Sequence, residues 1–172
     1  MEKFVADSMN GKLAKKLRFF GFNTLYYKQI SDNEIIKIAI EENRIILTSD
    51  YELYKLSISK NIEIILTNQE SDLDNLTEIG KLLNWQSLDD SKFSTRCTVC
   101  NNELVEIKKE ELQKIIPRNT FQRFYEYYRC CDCSKIYWKG SHWNNMMNIA
   151  QAVNKKLEKI LIPSFDYYNT WM

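Results

Sequence analysis

Glycine is scarce in this chain, with four in 172 residues. No G-x-x-x-x-G-K occurs and no G-x-G-x-x-G follows an apolar run, so the loops that cradle phosphates in P-loop and dinucleotide enzymes are absent. The G-x-S-x-G elbow of serine hydrolases is missing too. No apolar run approaches the roughly 18 residues that span a bilayer. The first residues lack the basic, apolar and small-residue order of a signal peptide. These absences argue against nucleotide-cofactor enzymes and membrane spans, and set the expectation of a cytoplasmic protein. Histidine is reduced to one residue, His142, and no internal repeat or low-complexity segment occurs.

What is present is ordinary in bulk. With 44% hydrophobic and 27% charged residues, the chain has enough apolar material for one medium domain, or one domain with a small satellite. The net charge of +1 hides an asymmetry. Residues 1–93 carry 12 Lys and Arg against 15 Asp and Glu, whereas residues 94–172 carry 12 against 8. An acidic half beside a basic half suggests a polyanion held by one part and acted on by the other. A plain solvated surface gives similar counts.

The organising stretch is Arg44 to Asp50, RIILTSD. Ile45, Ile46 and Leu47 run without alternation, as a strand buried on both faces does, and the run stops on a carboxylate at the end where open α/β sheets bind ligands. Around it, strands and helices alternate. Phe4–Asp7 reads as a strand, Lys12–Phe20 as a helix closed by Gly21, and Asn23–Tyr27 as a second strand. Ser31 and Glu34 form a capping box ahead of a stripe of Ile35, Ile36, Ala39 and Ile40, and Ser49 and Glu52 form a second S-x-x-E pair opening a helix near Asp50. Asn61–Thr67 is a fourth strand and Leu73–Trp85 a fourth helix. This order implies a parallel sheet with right-handed crossovers, a three-layer α/β domain over residues 1–90.

The polar segment Ser87–Thr95 reads as a linker. A second unit over residues 91–143 follows, with a strand at Leu104–Ile107, two short helices at Glu110–Ile116 and Thr120–Tyr128, and a returning strand at Ile136–Trp138. Residues 144–172 read as a C-terminal helix, over Asn145–Ile160, and an aromatic tail with Phe165, Tyr167, Tyr168 and Trp171.

Five cysteines without a secretory signal argue for metal and not for disulfides. Cys97-x-x-Cys100 and Cys130-x-x-Cys133 are two knuckles that can give one zinc ion four thiolates. A full thiolate shell leaves no open position, so the expected role is structural. Cys131, inside the second knuckle, reads as a bystander.

The carboxylates are the second constellation. Asp7 ends the first strand, Asp50 the third, and Asp32 opens the intervening helix, so a parallel sheet can bring them to one edge, where a hard Mg²⁺ or Mn²⁺ ion would offset their repulsion. The alternative stands beside it: Asp32, Glu34, Asp50 and Glu52 all occupy positions that cap helices or suit the dipole. His142 reads either as a partly buried residue with a backbone partner or, with Arg129, Lys139 and Trp143 nearby, as part of an RNA or interdomain contact. Cations and rings interleave from Lys108 to Trp143, a pattern that can hold phosphates and stack bases, and equally one that packs a small module poor in other apolar groups.

In order, FVADSMNGKLAKKLRFFGFNTLYY, SDNEIIKIA, RIILTSDYEL, the first C-x-x-C, IIPRNTFQRFYEYYRC, the second C-x-x-C and KIYWKGSHW resemble the PIN-like ribonuclease family named after the C-terminal domain of the Mut-seven exonuclease, over roughly residues 3–147. The resemblance implies a PIN-like α/β domain fused to a zinc ribbon, and metal-dependent endoribonuclease activity. Asp7, Asp32 and Asp50 match the family's acidic motifs as catalytic residues and Mg²⁺ or Mn²⁺ ligands, with Glu34 a fourth member. Lys12, in G-K-L-A, becomes a phosphate contact, and His142 falls in G-S-H-W.

The leading expectation is an endoribonuclease acting on single-stranded RNA, contacted by Lys12 of the α/β domain and gripped by the zinc ribbon through Arg129, Lys139, His142 and Trp143. A second is a catalytically silent RNA- or ribosome-binding protein with the same fold. A third is a partner in a toxin–antitoxin pair.

Overall fold

The computed structural model describes residues 2–68 and 71–161; the aromatic tail expected after residue 161 lies outside the described residues. Four parallel strands, β1 (Lys3–Ala6), β2 (Asn23–Tyr26), β3 (Ile45–Thr48) and β4 (Ile64–Leu66), form a sheet in the order β2-β1-β3-β4. Between them run α1 (Gly11–Phe19), α2 (Asp32–Glu42) and α3 (Tyr51–Ser59), and α4 (Asp72–Leu82) follows β4. The α/β class with a parallel sheet is thus as the alternating pattern predicts.

Side-chain alternation along the strands divides the core in two. Phe4, Ala6, Ile45 and Leu47 face Leu13, Leu17, Leu76 and Ile79 on one side. Val5 and Ile46 face Ile35, Ile36, Ala39 and Leu53 on the other. All four residues of β3 are buried, as a strand covered on both faces requires. With glycine scarce, asparagine takes the left-handed positions past several helices: Asn43 closes α2 at φ 52°, and Asn61 and Asn84 hold φ 54° and 55°.

Three antiparallel strands, β5 (Leu104–Glu106), β6 (Tyr127–Cys130) and β7 (Ile136–Trp138), make a second, smaller sheet in the order β5-β6-β7. Here the structure corrects the sequence reading. The helix expected over Thr120–Tyr128 is only α5 (Arg118–Arg123), and the chain then extends into β6. Tyr127 is the reason: it is fully buried with Ile107 and Leu112, and its hydroxyl donates to the carbonyls of Thr120 and Phe124 at 2.8 and 3.2 Å. Aromatic residues suit a pleated surface, and neighbours on both sides decide the matter. The helix expected over Glu110–Ile116 is a single 3-10 turn, Lys109–Leu112.

The segment read as a linker is clamped. Leu88 and Phe93 are buried in the main core, and Leu88 N–H donates to Asn154 Oδ1 at 2.8 Å. Gly21, at φ +91°, sits where a Cβ would lie 2.6 Å from the Lys92 carbonyl oxygen, so only glycine admits this close pass.

The last helix, α6 (Ser141–Leu161), begins four residues earlier than expected and packs on α4. Met146, Ala150, Val153 and Leu157 recur at helical spacing and are buried with Leu76 and Ile79. Gly80 of α4 lets Leu157 approach closely. Met146, Val153 and Leu157 each contribute about 2 kcal/mol through burial, so α6 is a wall of the main core. No described helix is long and apolar enough to cross a membrane.

Candidate functional site at the sheet edge and the cysteine cluster

The C-terminal ends of the parallel strands meet at one edge, and Asp7 is buried there. Its Oδ1 accepts from the N–H groups of Met9 and Asn10 at 2.9 and 3.1 Å and from Asn10 Nδ2 at 2.9 Å. Its Oδ2 accepts from the Thr48 hydroxyl at 2.5 Å and Ser49 N–H at 3.2 Å. A carboxylate has about four lone-pair sites, so these five donors saturate it. Asn10, itself buried, also donates to Ser49 Oγ at 3.3 Å and accepts from Thr67 Oγ1 at 3.0 Å. The Ser49 and Thr67 hydroxyls are 2.8 Å apart. Three segments, after β1, β3 and β4, are thus tied together at the edge through one carboxylate and one amide.

The other acids serve helix ends. Asp50 is exposed, and its Oδ1 accepts from the N–H groups of Glu52 and Leu53 at 2.7 and 3.3 Å, so Asp50 caps α3. The expected Ser49/Glu52 capping pair is not formed, because Ser49 turns to Asn10 and Thr67 instead. Ser31 and Glu34 do form their capping box, and the Ser31 hydroxyl and N–H hold the Glu34 carboxyl below the usual carboxylate range. Asp32, exposed in the first turn of α2, makes no hydrogen bond among the described residues. Asp7, Asp32 and Asp50 are not among the groups of three or more His, Cys, Asp or Glu side chains close enough to share an ion; the only one among the described residues is a cluster of cysteines.

A cleft of about 520 Å³ opens beside this network, lined among others by Asn10, Lys12, Lys15, Tyr26, Asp72 and Asn75. Asp72 is paired with Lys16. Lys12 and Lys15 are exposed and carry no ion pair among the described residues. Asn10, Thr48 and Thr67 escaped the sequence reading: the first looked like a turn residue and the others like strand ends.

The cysteine cluster is Cys97, Cys100, Cys130 and Cys133, whose sulfurs all lie within 4.8 Å of one another. Cys97 and Cys133 are 3.5 Å apart, Cys100 and Cys130 3.3 Å. Zinc–sulfur bonds of about 2.3 Å in a tetrahedron space the sulfurs by about 3.8 Å, so these thiols can hold zinc. Burial pushes the Cys130 thiol up to about 12, and a cation among the sulfurs is what lets it ionise. Burial also raises Cys97, but the Tyr137 hydroxyl, 3.0 Å from its sulfur, and the N–H groups of Cys100 and Val99 bring it down on balance to about 6. Cys131 is exposed and outside the cluster.

The knuckle is bolted to the main sheet. Arg18 of α1, 3% exposed, donates through Nη1 to the carbonyls of Val99 and Thr98 at 2.8 and 3.2 Å, and through Nε to Thr24 at 2.7 Å. Asn101 accepts from Thr24 N–H at 3.0 Å and donates to Asn23 Oδ1 at 2.8 Å.

Of the basic and aromatic candidates, Lys139, His142 and Trp143 line one crevice and Lys12 an adjoining one with His142, whereas Arg129 lines neither. His142 is exposed in the first turn of α6 and makes no hydrogen bond among the described residues, which overturns the reading of a partly buried histidine with a backbone partner. Lys139 donates to Glu126 at 2.6 Å and lies 5.5 Å from the Trp143 ring centroid. Trp143 packs edge-on to Phe19 at 5.0 Å, and Arg129 is exposed on β6.

The family described as Mut7-C RNAse domain matches residues 2–150. The chain belongs to the Mut7-C RNAse domain family. The match takes in both features of the Mut7-C chain, the sheet edge with Asp7 and the four-cysteine cluster, as the resemblance of its motifs implies. No curated protein matches the chain.

Proposed function

We propose that this Mut7-C chain is an endoribonuclease that takes single-stranded RNA into the cleft at the sheet edge and cleaves it beside Asp7 and Asp50. The observation that carries the reading is the meeting, at one edge of a chain from a ribonuclease-domain family, of a buried carboxylate, a polar cleft and two unpaired lysines, Lys12 and Lys15. Cations beside a cleft hold the phosphates of a strand, and a zinc ribbon at its far side adds surface for the grip. Structural zinc at the four cysteines, a cytoplasmic setting and association with the ribosome belong to the same reading. A requirement for Mg²⁺ or Mn²⁺ at Asp7, Asp32 and Asp50, with Glu34 as a further catalytic acid, belongs to the same reading and is supported by the ribonuclease-domain family.

The test uses a covalently closed single-stranded RNA circle, which only internal cleavage opens. Opening by the wild-type protein, abolished in an Asp7→Asn/Asp50→Asn double variant, is the expected result. Addition and chelation of Mn²⁺ read the ion requirement. Opening undiminished in the double variant removes the assigned site.

One observation favours a second reading, an RNA-binding protein without cleavage. Asp7, Asp50 and Glu34 are each engaged in hydrogen bonds that hold the fold together. Salt-dependent RNA binding with no opening of the circle under any divalent ion supports that reading.

A further inference from the structure

Three cavities on one side of the molecule share walls. The cleft at the sheet edge, about 520 Å³, has Lys12 and Lys15 in common with a crevice of about 170 Å³ between α1 and the start of α6. That crevice shares Phe19, Thr98 and His142 with a smaller one of about 50 Å³, which reaches Tyr128, Tyr137 and Lys139 on the cysteine module. The shared helix is α1, with Asn10 at one end and Phe19 at the other. At 1.5 Å per residue this path is about 13 Å long.

The charge along the path is one-sided. Lys12, Lys15 and Lys16 line it with His142, and the acid at its wide end, Asp72, is neutralised by Lys16. Lys139 at its narrow end is neutralised by Glu126. This leaves Lys12 and Lys15 as unpaired cations and His142 as a donor without a partner among the described residues. Tyr26 lines the wide end, and Tyr128 and Tyr137 line the narrow one, where an unpaired base can lie against a ring.

We propose that these cavities are one track for a single RNA strand, which runs along α1 from the sheet edge to the cysteine module, its phosphates held by Lys12, Lys15 and His142. The proposal rests on the ribonuclease reading for its choice of RNA. Arg118 and Arg123 of α5 line none of these cavities, so the grip lies in the seam between the two sheets and not across the outer face of the module. At the duplex repeat of about 3.4 Å per nucleotide, the path takes about four nucleotides, fewer if the strand is stretched. RNA too short to reach from the edge to His142 binds weakly.

The test is fluorescence anisotropy with a labelled oligouridylate of about 12 nucleotides and the full chain, across a salt series, with cleavage of the same RNA measured in parallel. Lys15→Glu raises Kd about tenfold and His142→Ala about threefold. Lys15→Ala lowers the slope of log K against log salt by about 0.7, the single-strand value for one phosphate contact. Arg118→Glu leaves Kd within twofold, and thermal melting of each variant checks that it is folded. Unchanged binding in both Lys15 variants, an equal loss in Arg118→Glu, no binding by the wild type, or competition by polyglutamate as strong as by RNA overturns the track. If Lys15→Glu weakens binding but no RNA is cut, the track stands and the ribonuclease reading fails. If RNA is cut and neither Lys15 nor His142 matters, the reverse holds.

Discussion

Arg18 donates to the carbonyl of Val99 at 2.8 Å, so a residue in the last turn of α1 holds the inside of the first cysteine knuckle. Three backbone carbonyls depend on that one guanidinium, and burial lowers its pKa from the ordinary arginine value. Arg18→Ala leaves those carbonyls without their donor. A loss of about 3 kcal/mol in urea unfolding is expected, in line with the cost of unsatisfied buried acceptors. Lys in place of Arg restores little of it, because a single ammonium cannot span the same fork.

Asp50 allows its two jobs to be separated. Its side chain caps α3, and serine caps as well as aspartate. Asp50→Ala is expected to lower stability by about 1 kcal/mol and Asp50→Ser by a few tenths at most. If the carboxylate takes part in cleavage, both variants lose activity on the RNA circle although only one is destabilised. Full activity in Asp50→Ser assigns Asp50 to the cap alone.

The Glu34 carboxyl has its pKa lowered first by the Ser31 hydroxyl and then by Ser31 N–H. A depressed carboxyl contributes stability above its unfolded pKa and loses it as pH falls through the folded value. The capping box of α2 is therefore intact at neutral pH and weakens on acidification below the usual carboxylate range. Ser31→Ala moves the Glu34 titration back up towards the ordinary value, a change that side-chain NMR reads directly. At neutral pH this acid is ionised and cannot act as a proton donor.

Leu157 is nearly fully buried between α6 and α4. Leu157→Ala is expected to cost about 3 kcal/mol, the range for a buried leucine that leaves a cavity. The measurement is urea unfolding followed through Trp85, which packs against the same core and stacks on Phe22 at 4.5 Å. A single transition that shifts for the whole protein shows that α6 belongs to the sheet's cooperative unit.

If the four cysteines hold zinc, its chelation acts first on the small sheet. Its own core is Ile107, Leu112 and Tyr127, too few apolar groups to hold three strands without the metal. Amide exchange is expected to accelerate in β5, β6 and β7 while β1 and β3 stay protected, and to recover when zinc is returned.

The α/β class was legible because Ile45–Leu47 and Ile64–Leu66 are short apolar runs rich in isoleucine and Ser31–Glu34 is a local signal complete within four residues. Asp7 was legible as a site candidate for the same reason, standing at the end of a short apolar strand. Its partners were not. Thr48 is 41 positions away and Thr67 is 57 from Asn10, and no pattern along the chain says which hydroxyl meets which carboxylate. The convergence of Asp7, Asp32 and Asp50 on one edge was a statement about strand ends, and strand ends fix a neighbourhood, not the few ångströms that an ion requires. β6 was misread because a run of aromatics suits either period until Tyr127 finds neighbours on both sides. The helix over Asn145–Ile160 was legible, but the spacing of Met146, Ala150, Val153 and Leu157 carries no information about which surface they cover.

Thr24 lies on β2, the outermost strand of the parallel sheet, and both of its outward peptide groups are taken, the N–H by Asn101 and the C=O by Arg18. An uncovered outer strand is a template on which other chains add. The first knuckle is therefore also a stopper, placed 77 positions along the chain from the strand it closes. If the knuckle depends on a metal, removing that metal bares β2, and self-association is then expected to begin at a sheet that is still folded.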